Sequence, residues 1–448
     1  MKFPDHFTGH LQNTQGFDED AFTASHKSQI PVSVRYNPQK NIPLHTAAEK
    51  IPWTTHGYYL PERPSFILDP LWHTGAYYVQ EASSMFLEHV LRQSVDLNQS
   101  LRVLDLCAAP GGKSTLLQSV LSDESLLVCN EVIQSRVSIL RENIIKWGGM
   151  NAVVTHNDPA DFDALEGFFD VIVVDAPCSG SGLFRRDPEA MNEWSMSNVK
   201  LCAERQQRIL ADVWDALKED GTLIYSTCSY SDAENESILE WMSDHFQIES
   251  LRVELSSDWG IEEVMTPKGV YGYRFWPHLV KGEGFFIAVL RKKSSVKESL
   301  VRIKKINPVS SKDKKTAEAF VRSTHPLEWI MQGKYMAAVN PGLYELVHYL
   351  MERLRVRYAG VECGMVMHDR FVPEQPLSVS SVVFPAQQLF SLSKQQALDY
   401  LRKNDFYPEG MSPGFQWVGY QELGLGWVKC LGNRINNYYP KEWRIKMG

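Results

Sequence analysis

A doubly wound α/β domain is expected over residues 96–293 of this 448-residue chain. Three observations predict it. Short apolar runs alternate with helical patterns, one run ends in a Gly-rich turn that opens a helix, and acidic residues close three successive runs at the same end. Continuous runs such as VIVV read as strands buried on both faces, the mark of a parallel sheet covered by helices on each side.

The first run, Val103, Leu104 and Leu106 in RVLDLCAAPGGKSTLL, ends in small residues and Pro110, and a helix opens at Gly112. Backbone N–H groups and a helix N-terminus then lie at the carboxyl end of a strand, where open α/β sheets bind ligands. GGKST looks like half a phosphate-cradling loop, but that template needs a glycine where Cys107 stands. The dinucleotide fingerprint fails too, because Gly111 and Gly112 are adjacent. On this stretch alone a plain strand-to-helix turn would look the same. The strand SLLVCNEV follows, then the helix SRVSILRENIIKWG and the strands NAVVTHND and FDVIVVDAP. The next helix is VKLCAERQQRILADVWDALKED, with Leu210, Val213, Trp214 and Leu217 on one face. GTLIYSTCS and GFFIAVLRK complete the strands, and Ser231 with Glu234 has the pattern of a capping box after YSTCS.

Length suggests two to four domains, and 44% apolar residues suffice for their cores. Residues 1–95 mix helix-like and loop stretches. The Lys- and Ser-rich stretch 291–315 reads as a linker or exposed arm, bounded as 294–316, and patterned sequence resumes beyond it. That remainder divides as 317–380 and 381–448. No apolar run is long enough for a bilayer and MKFPDHFTGH is no signal peptide, so a cytoplasmic location and no membrane partner are expected. Seven cysteines without a CxxC pair point to a reducing compartment and against a disulfide framework or a metal cluster. A net charge of −8 means that any nucleic-acid role needs local basic patches.

Glu131, Asp158 and Asp175 sit at or near the ends of three successive strands. In such sheets the acid closing the second strand commonly binds a ribose hydroxyl pair. A Gly-rich loop that cannot hold pyrophosphate favours a nucleoside without phosphates, and S-adenosylmethionine is the obvious candidate. Cys178 in DAPCSGSG and Cys228 in YSTCS follow the fourth and fifth strands, whose ends would bring both thiols to one pocket. Cys129, Cys202, Cys363 and Cys430 read instead as small buried hydrophobes. Without further His or Cys ligands, a nucleophile with a helper fits the pair better than a metal does.

Here the sequence resembles the RNA 5-methylcytosine methyltransferases of the Nop/Sun type. CAAPGGK, DAPCSGSG and YSTCS are similar to that family's cofactor loop, Pro-Cys motif and Thr-Cys motif. GAYYVQEASSM, RFWPHLVKGEGFF and VSVRYNPQK also match its patterns. The tail GWVKCLGNRINNYYPKEWRI is similar to the PUA-like RNA-binding end of bacterial small-subunit rRNA methyltransferases of the RsmF type. The resemblance implies a Rossmann-like domain dependent on S-adenosylmethionine, an N-terminal α/β extension for RNA binding over 1–95, and a C-terminal α+β region with a PUA-like RNA-binding unit over 381–448. It implies that Cys107, Ala108, Ala109, Pro110, Gly111, Gly112 and Lys113 line the cofactor site. Glu131 would bind the ribose, Asp158 would flank the adenine and Asp175 would lie between cofactor and base. Cys228 would be the nucleophile and Cys178 the release residue.

The chemistry asks for two thiols. Carbon 5 of cytosine is a poor nucleophile, and thiolate addition at carbon 6 turns it into an enamine carbon able to attack a methyl group. A free thiol of pKa ~8.5 is only a few per cent ionised at neutral pH, so Cys228 needs an activating environment. An acidic group at N3 of the base, which the resemblance gives to Asp175, would stabilise charge as the thiolate adds, and it would have to carry a proton to do so. The target base must be unstacked. Arg434, Lys429, Tyr438, Tyr439 and Trp443 suit RNA contact, or the aromatics could be core. The expected partner is RNA, with 16S rRNA ahead of tRNA as substrate, and the protein is expected to be a monomer. An amino-group methylase would carry [DN]-P-P-[YFW] where this chain has DAPC. A non-catalytic RNA-binding assembly factor would not need both thiols and a complete cofactor loop.

Overall fold

Val103, Leu127, Val154, Val171 and Val173 pack on one side of a large sheet, while Leu104, Val128, Val153, Ile172 and Val174 pack on the other. This alternation is the period-two consequence of strands buried on both faces. The computed structural model describes residues 3–42, 47–297, 302–303, 306, 308–323, 325–432 and 434–446. The strands of the large sheet are β1 (Arg102–Asp105), β2 (Leu126–Asn130), β3 (Ala152–Thr155), β4 (Phe169–Asp175), β5 (Leu217–Thr227), β6 (Ile248–Ser250), β7 (Glu262–Met265), β8 (Tyr271–Phe275), β9 (Phe285–Lys292) and β10 (Val356–Ala359). Their spatial order is β7-β8-β9-β5-β4-β1-β2-β3-β10, with β6 beside β9. Only β3-β2-β1-β4-β5 are mutually parallel, and the flanking strands run antiparallel to them. The chain order reverses at β1, so a crevice opens between the carboxyl ends of β1 and β4, the place where open α/β sheets take ligands.

Helices α1 (Gly112–Val120) and α2 (Gln134–Trp147) cover one face of the sheet, and α3 (Met196–Val213) and α4 (Glu236–His245) cover the other. Two local expectations change. The helical face read through Leu217 ends at Val213; Trp214–Ala216 form a 3-10 turn and Leu217 opens β5. The capping box at Ser231 and Glu234 does not form. Ser231 Oγ meets His10 Nε2 at 2.9 Å, and the Glu234 carboxylate turns into the protein interior.

The N-terminal region carries a four-stranded antiparallel sheet of Glu49–Lys50, Gly57–Leu60, Val32–Tyr36 and Tyr77–Val79. Arg35 rivets it to α1. Its fully buried guanidinium donates to Gln80 Oε1 at 2.9 Å, to Thr115 Oγ1 at 2.6 Å, to Ser119 Oγ at 3.0 Å and to the carbonyls of Gly112 and Thr115, and it lies 4.4 Å over the Trp147 ring. Burial lowers its pKa to about 9, and the full set of acceptors is what makes that burial tolerable.

The C-terminal region is less separable than the sequence suggests. Beyond a four-stranded sheet (Glu328–Gln332, Tyr335–Val339, Val361–Met367 and Arg370–Pro373), β10 adds itself to β3. Val347, Tyr349 and Leu350, from the helix Tyr344–Arg353, join the same core as Leu104 and Ile172. The stretch read as a linker is also shorter than expected. Lys292 belongs to β9, and its buried ammonium donates to the carbonyls of Trp214 and Leu217; a helix capped by Ser310 runs over Ser311–Glu318. Positions 298–301, 304–305 and 307 of that stretch lie outside the described residues. We therefore expect Leu350→Ala, though remote from the crevice, to destabilise the large sheet by about 2–5 kcal/mol in denaturant unfolding. A loss confined to a separate C-terminal transition would contradict the shared core.

The last unit pairs Phe390–Ser391, Gly414–Tyr420, Leu423–Cys430 and Ile435–Asn437 in one sheet. Of the tail residues considered for RNA contact, Tyr439 is core at 1% exposure, and Trp443 is half-buried between Tyr439 and Lys146. Lys429 is half-buried over Phe415, whereas Arg434 and Tyr438 are exposed. Cys129, Cys202, Cys363 and Cys430 are all buried, as read from the sequence. Among the described residues no helix is long and apolar enough to cross a membrane.

Candidate active site

The crevice at the end of β1 and β4 divides into two clefts. The first, of about 520 Å³, is lined by Cys107, Ala109, Glu131, Val132, Ile133 and Pro159, among others. The second, of about 360 Å³, is lined by Tyr78, Gln80, Lys113, Glu283, Gly284 and Phe285, among others. Cys107, Ala109, Arg136, Asp175, Leu183 and Cys228 line both. Asp175 and Cys228 therefore stand at the seam between two chambers, each within the size range of small-molecule sites.

At the end of the loop, Gly111 takes a φ of +111° just before α1, a conformation that favours glycine and lets the loop turn up into the helix. Glu131 is 2% exposed; its Oε1 accepts from the N–H of Ile133 at 2.8 Å, and its Oε2 lies 3.3 Å from Arg136 without a hydrogen-bond donor. A buried carboxylate oxygen with a free lone pair facing a cleft suits a ribose hydroxyl. Asp158, expected to flank the adenine, stands at the edge of the first cleft. Its side chain caps the 3-10 turn Pro159–Leu165 and pairs with Arg208 at 3.2 Å, while Pro159 lines the cleft.

The loop expected to line the cofactor site splits between the chambers. Cys107 and Ala109 reach both; Ala108, Pro110, Gly112 and Lys113 line the second only; Gly111 lines neither. Lys113 Nζ lies 2.8 Å from Asp175 Oδ2 and 5.0 Å over the Phe285 ring. Burial works against its charge, but Asp175 more than compensates, and Lys113 is held above the ordinary lysine pKa. Asp175 Oδ1 accepts from Ser226 Oγ at 2.9 Å. Both oxygens of Asp175 are thus engaged, one by the Lys113 ammonium and one by the Ser226 hydroxyl.

Cys178 Sγ and Cys228 Sγ are 3.0 Å apart. The hydrogen bond to Cys228 and then burial raise the pKa of Cys178 far above that of an ordinary thiol, so Cys178 keeps its proton. Gly182 lets the Cys178 loop close over the other: its N–H donates to the Cys228 carbonyl at 2.8 Å, and a Cβ there would lie 2.7 Å from that oxygen.

Asp105 was missed in the sequence, although it closes β1 directly before the loop. It is fully buried, with Ser114 Oγ donating to Oδ2 at 2.6 Å and no donor at Oδ1. Burial pushes its pKa up to about 7, against 3.8 ordinarily. A carboxyl raised in the folded state contributes stability that is full below pH 3.8 and is lost as pH rises through 7. Thermal unfolding at pH 5 and pH 8 should thus show a smaller pH-dependent loss for Asp105→Asn than for the unsubstituted protein. Equal losses would remove Asp105 as the titrating group.

A Gly-rich turn without room for pyrophosphate, a buried acid for a ribose and paired thiols at a seam define an S-adenosylmethionine-dependent methyltransferase class. Comparison with known proteins narrows it. Residues 93–291 match the family described as 16S rRNA methyltransferase RsmB/F; residues 3–82 match the N-terminal domain of 16S rRNA methyltransferase RsmF, and residues 387–445 match the methyltransferase RsmF PUA domain. The ribosomal RNA small subunit methyltransferase F of Aeromonas salmonicida is 30% identical over 98% of this chain and 96% of its own. That of Escherichia coli O157:H7 is 30% identical over the same shares, 98% and 96%. Among solved structures, a methyltransferase homologue from Pyrococcus horikoshii aligns with a TM-score of 0.51 at 28% identity, covering 61% of this chain and 90% of its own. The crystal structure of NSun6 from Pyrococcus horikoshii with SFG shares the fold, with a TM-score of 0.54 at 18% identity over 65% of this chain and 99% of its own. The chain belongs to the RsmB/F family of 16S rRNA methyltransferases, in its RsmF form with N-terminal and PUA domains.

Proposed function

We propose that this protein methylates carbon 5 of cytosine in 16S rRNA, with Cys228 as the covalent nucleophile. The observation that carries the reading is the 3.0 Å pair of thiols at the seam of two clefts, beside the Lys113–Asp175 ion pair. The first cleft suits the cofactor, with Glu131 toward the ribose and Pro159, Val132 and Ile133 as its apolar walls. S-adenosylmethionine bound there supplies an electrophilic methyl group. The second cleft suits an unstacked base, with Phe285 beneath and Lys113 at its edge.

In this reading Cys228 adds through Sγ to carbon 6 of the base. Lys113, oriented by Asp175, supplies positive charge and a proton donor where negative charge builds on the ring. Cys178, kept as a neutral thiol, gives its proton to the Cys228 sulfur as the carbon 6–sulfur bond breaks, and the Cys178 thiolate so formed takes the carbon 5 proton, leaving both thiols protonated. We further propose that residues 1–95, 96–293, 317–380 and 381–448 act as the units read from the sequence, with β10 the element that crosses between them. RNA would be held by the N-terminal and PUA-like units, and the enzyme would act as a cytoplasmic monomer.

Bisulfite mapping of total RNA from cells with and without the gene tests the substrate. One or a few 5-methylcytosines should disappear from 16S rRNA alone. An unchanged 16S map with losses in tRNA would overturn the assignment.

A further inference from the structure

The two cysteine loops share one buried anchor. Glu234 is 0% exposed, and among the described residues no lysine or arginine hydrogen-bonds its carboxylate. Its Oε1 accepts from the Ser179 N–H at 2.7 Å and from Gln206 Nε2 at 3.4 Å, and its Oε2 accepts from Ser179 Oγ and Ser229 Oγ, both at 2.5 Å. Ser179 follows Cys178 and Ser229 follows Cys228. One carboxylate therefore holds the residue after each thiol, one from the β4 loop and one from the β5 loop. The neighbouring Asn235 repeats the arrangement on the second loop, accepting from Thr227 Oγ1 at 2.7 Å and donating to the Ser229 carbonyl at 2.9 Å.

A buried carboxylate without a cation is costly, and apolar packing could fill the space at less cost. What the carboxylate supplies that packing cannot is direction. Its two oxygens accept charge-assisted hydrogen bonds from two separate loops at once. Each bond acts one residue from a sulfur, so a small movement of either serine is transmitted to the thiol. Resting on the proposed roles of Cys178 and Cys228, we infer that Glu234 is a positioning residue for the reaction: it yokes the Cys178 and Cys228 loops so that the two sulfurs face each other across the seam.

Misplacement of a reacting group by about 1 Å costs on the order of 100-fold in rate. Glu234→Ala should lower kcat for RNA methylation by about that factor, while KM for RNA and the calorimetric Kd for S-adenosylmethionine stay within about threefold. Glu234→Gln should recover most of the rate. Its amide oxygen can still accept from the Ser179 N–H, and its amide N–H groups can donate to the two serine hydroxyl oxygens.

A second readout needs no RNA. The azo oxidant diamide removes both thiol hydrogens and is itself reduced to a hydrazine as the Cys178–Cys228 sulfur–sulfur bond forms. Peptide mass mapping follows the loss of two hydrogens. Closure should be fast in the unsubstituted protein and in Glu234→Gln, and at least about tenfold slower in Glu234→Ala, the same loss of alignment that slows catalysis. If Glu234→Ala does not fold, Ser179→Ala and Ser229→Ala each remove one hydroxyl donor and should slow both readouts.

Closure and methylation by Glu234→Ala at the unsubstituted rates would overturn the inference, as would Glu234→Gln behaving like Glu234→Ala in both. If instead Cys228→Ala still methylates RNA, the covalent reading falls, and the diamide arm still reports whether Glu234 aligns the sulfurs.

Discussion

Cys228→Ala should abolish RNA methylation and every covalent protein–RNA adduct, whereas Cys178→Ala should accumulate an adduct that survives denaturing electrophoresis. The asymmetry follows from what each thiol must do. In the proposed mechanism, removing Cys228 deletes the atom that would bond carbon 6, and loss of a nucleophile costs at least about 10⁴-fold. Removing Cys178 should leave attack and methyl transfer intact but take away the thiol 3.0 Å from the Cys228 sulfur, so that the methylated base would stay attached. Each variant is incubated with substrate RNA and S-adenosylmethionine and then run on a denaturing gel. The double variant should show no adduct. Trapping by Cys228→Ala but not by Cys178→Ala would reverse the two roles, and full turnover by both single variants would end the covalent mechanism.

Lys113→Met separates the two clefts. The sequence assigns Lys113 to the cofactor loop, but its ammonium points into the second cleft, against Asp175 and over Phe285. S-adenosylmethionine affinity measured by calorimetry should therefore change by no more than about threefold, while kcat falls by roughly 10²–10⁴, the usual worth of a placed proton donor. Asp175→Asn should follow the same pattern, because Lys113 then loses the anion that orients it. A cofactor affinity that falls in parallel with the rate would return Lys113 to the first cleft.

Much of this protein was legible before any coordinates, for definable reasons. A strand buried on both faces must be apolar at every position, and a loop meeting a ligand at a strand end must be small and Gly-rich. The central strands and the CAAPGGK turn therefore announced themselves locally. The meeting of the two thiols was legible because DAPCS and YSTCS each follow a strand of the same sheet.

What depended on distant partners was not legible. Glu234 has the spacing of a capping box, but its partners Ser179 and Gln206 lie 55 and 28 residues away, and only the fold decides that it turns inward. Lys113 lies beside Asp175 through the adjacency of β1 and β4, which sequence distance hides. Asp158 reads as a ligand by its place at a strand end, and only the fold shows that its carboxylate also caps a 3-10 turn and meets Arg208. The joining of the C-terminal region to the large sheet was hidden in the same way, because pairing of β10 with β3 is a contact between segments some 200 residues apart. Periodicity, turn chemistry and reactive residue types are local properties and are written in the sequence. The partner of each buried polar group is chosen by packing, and the tertiary structure alone decided it.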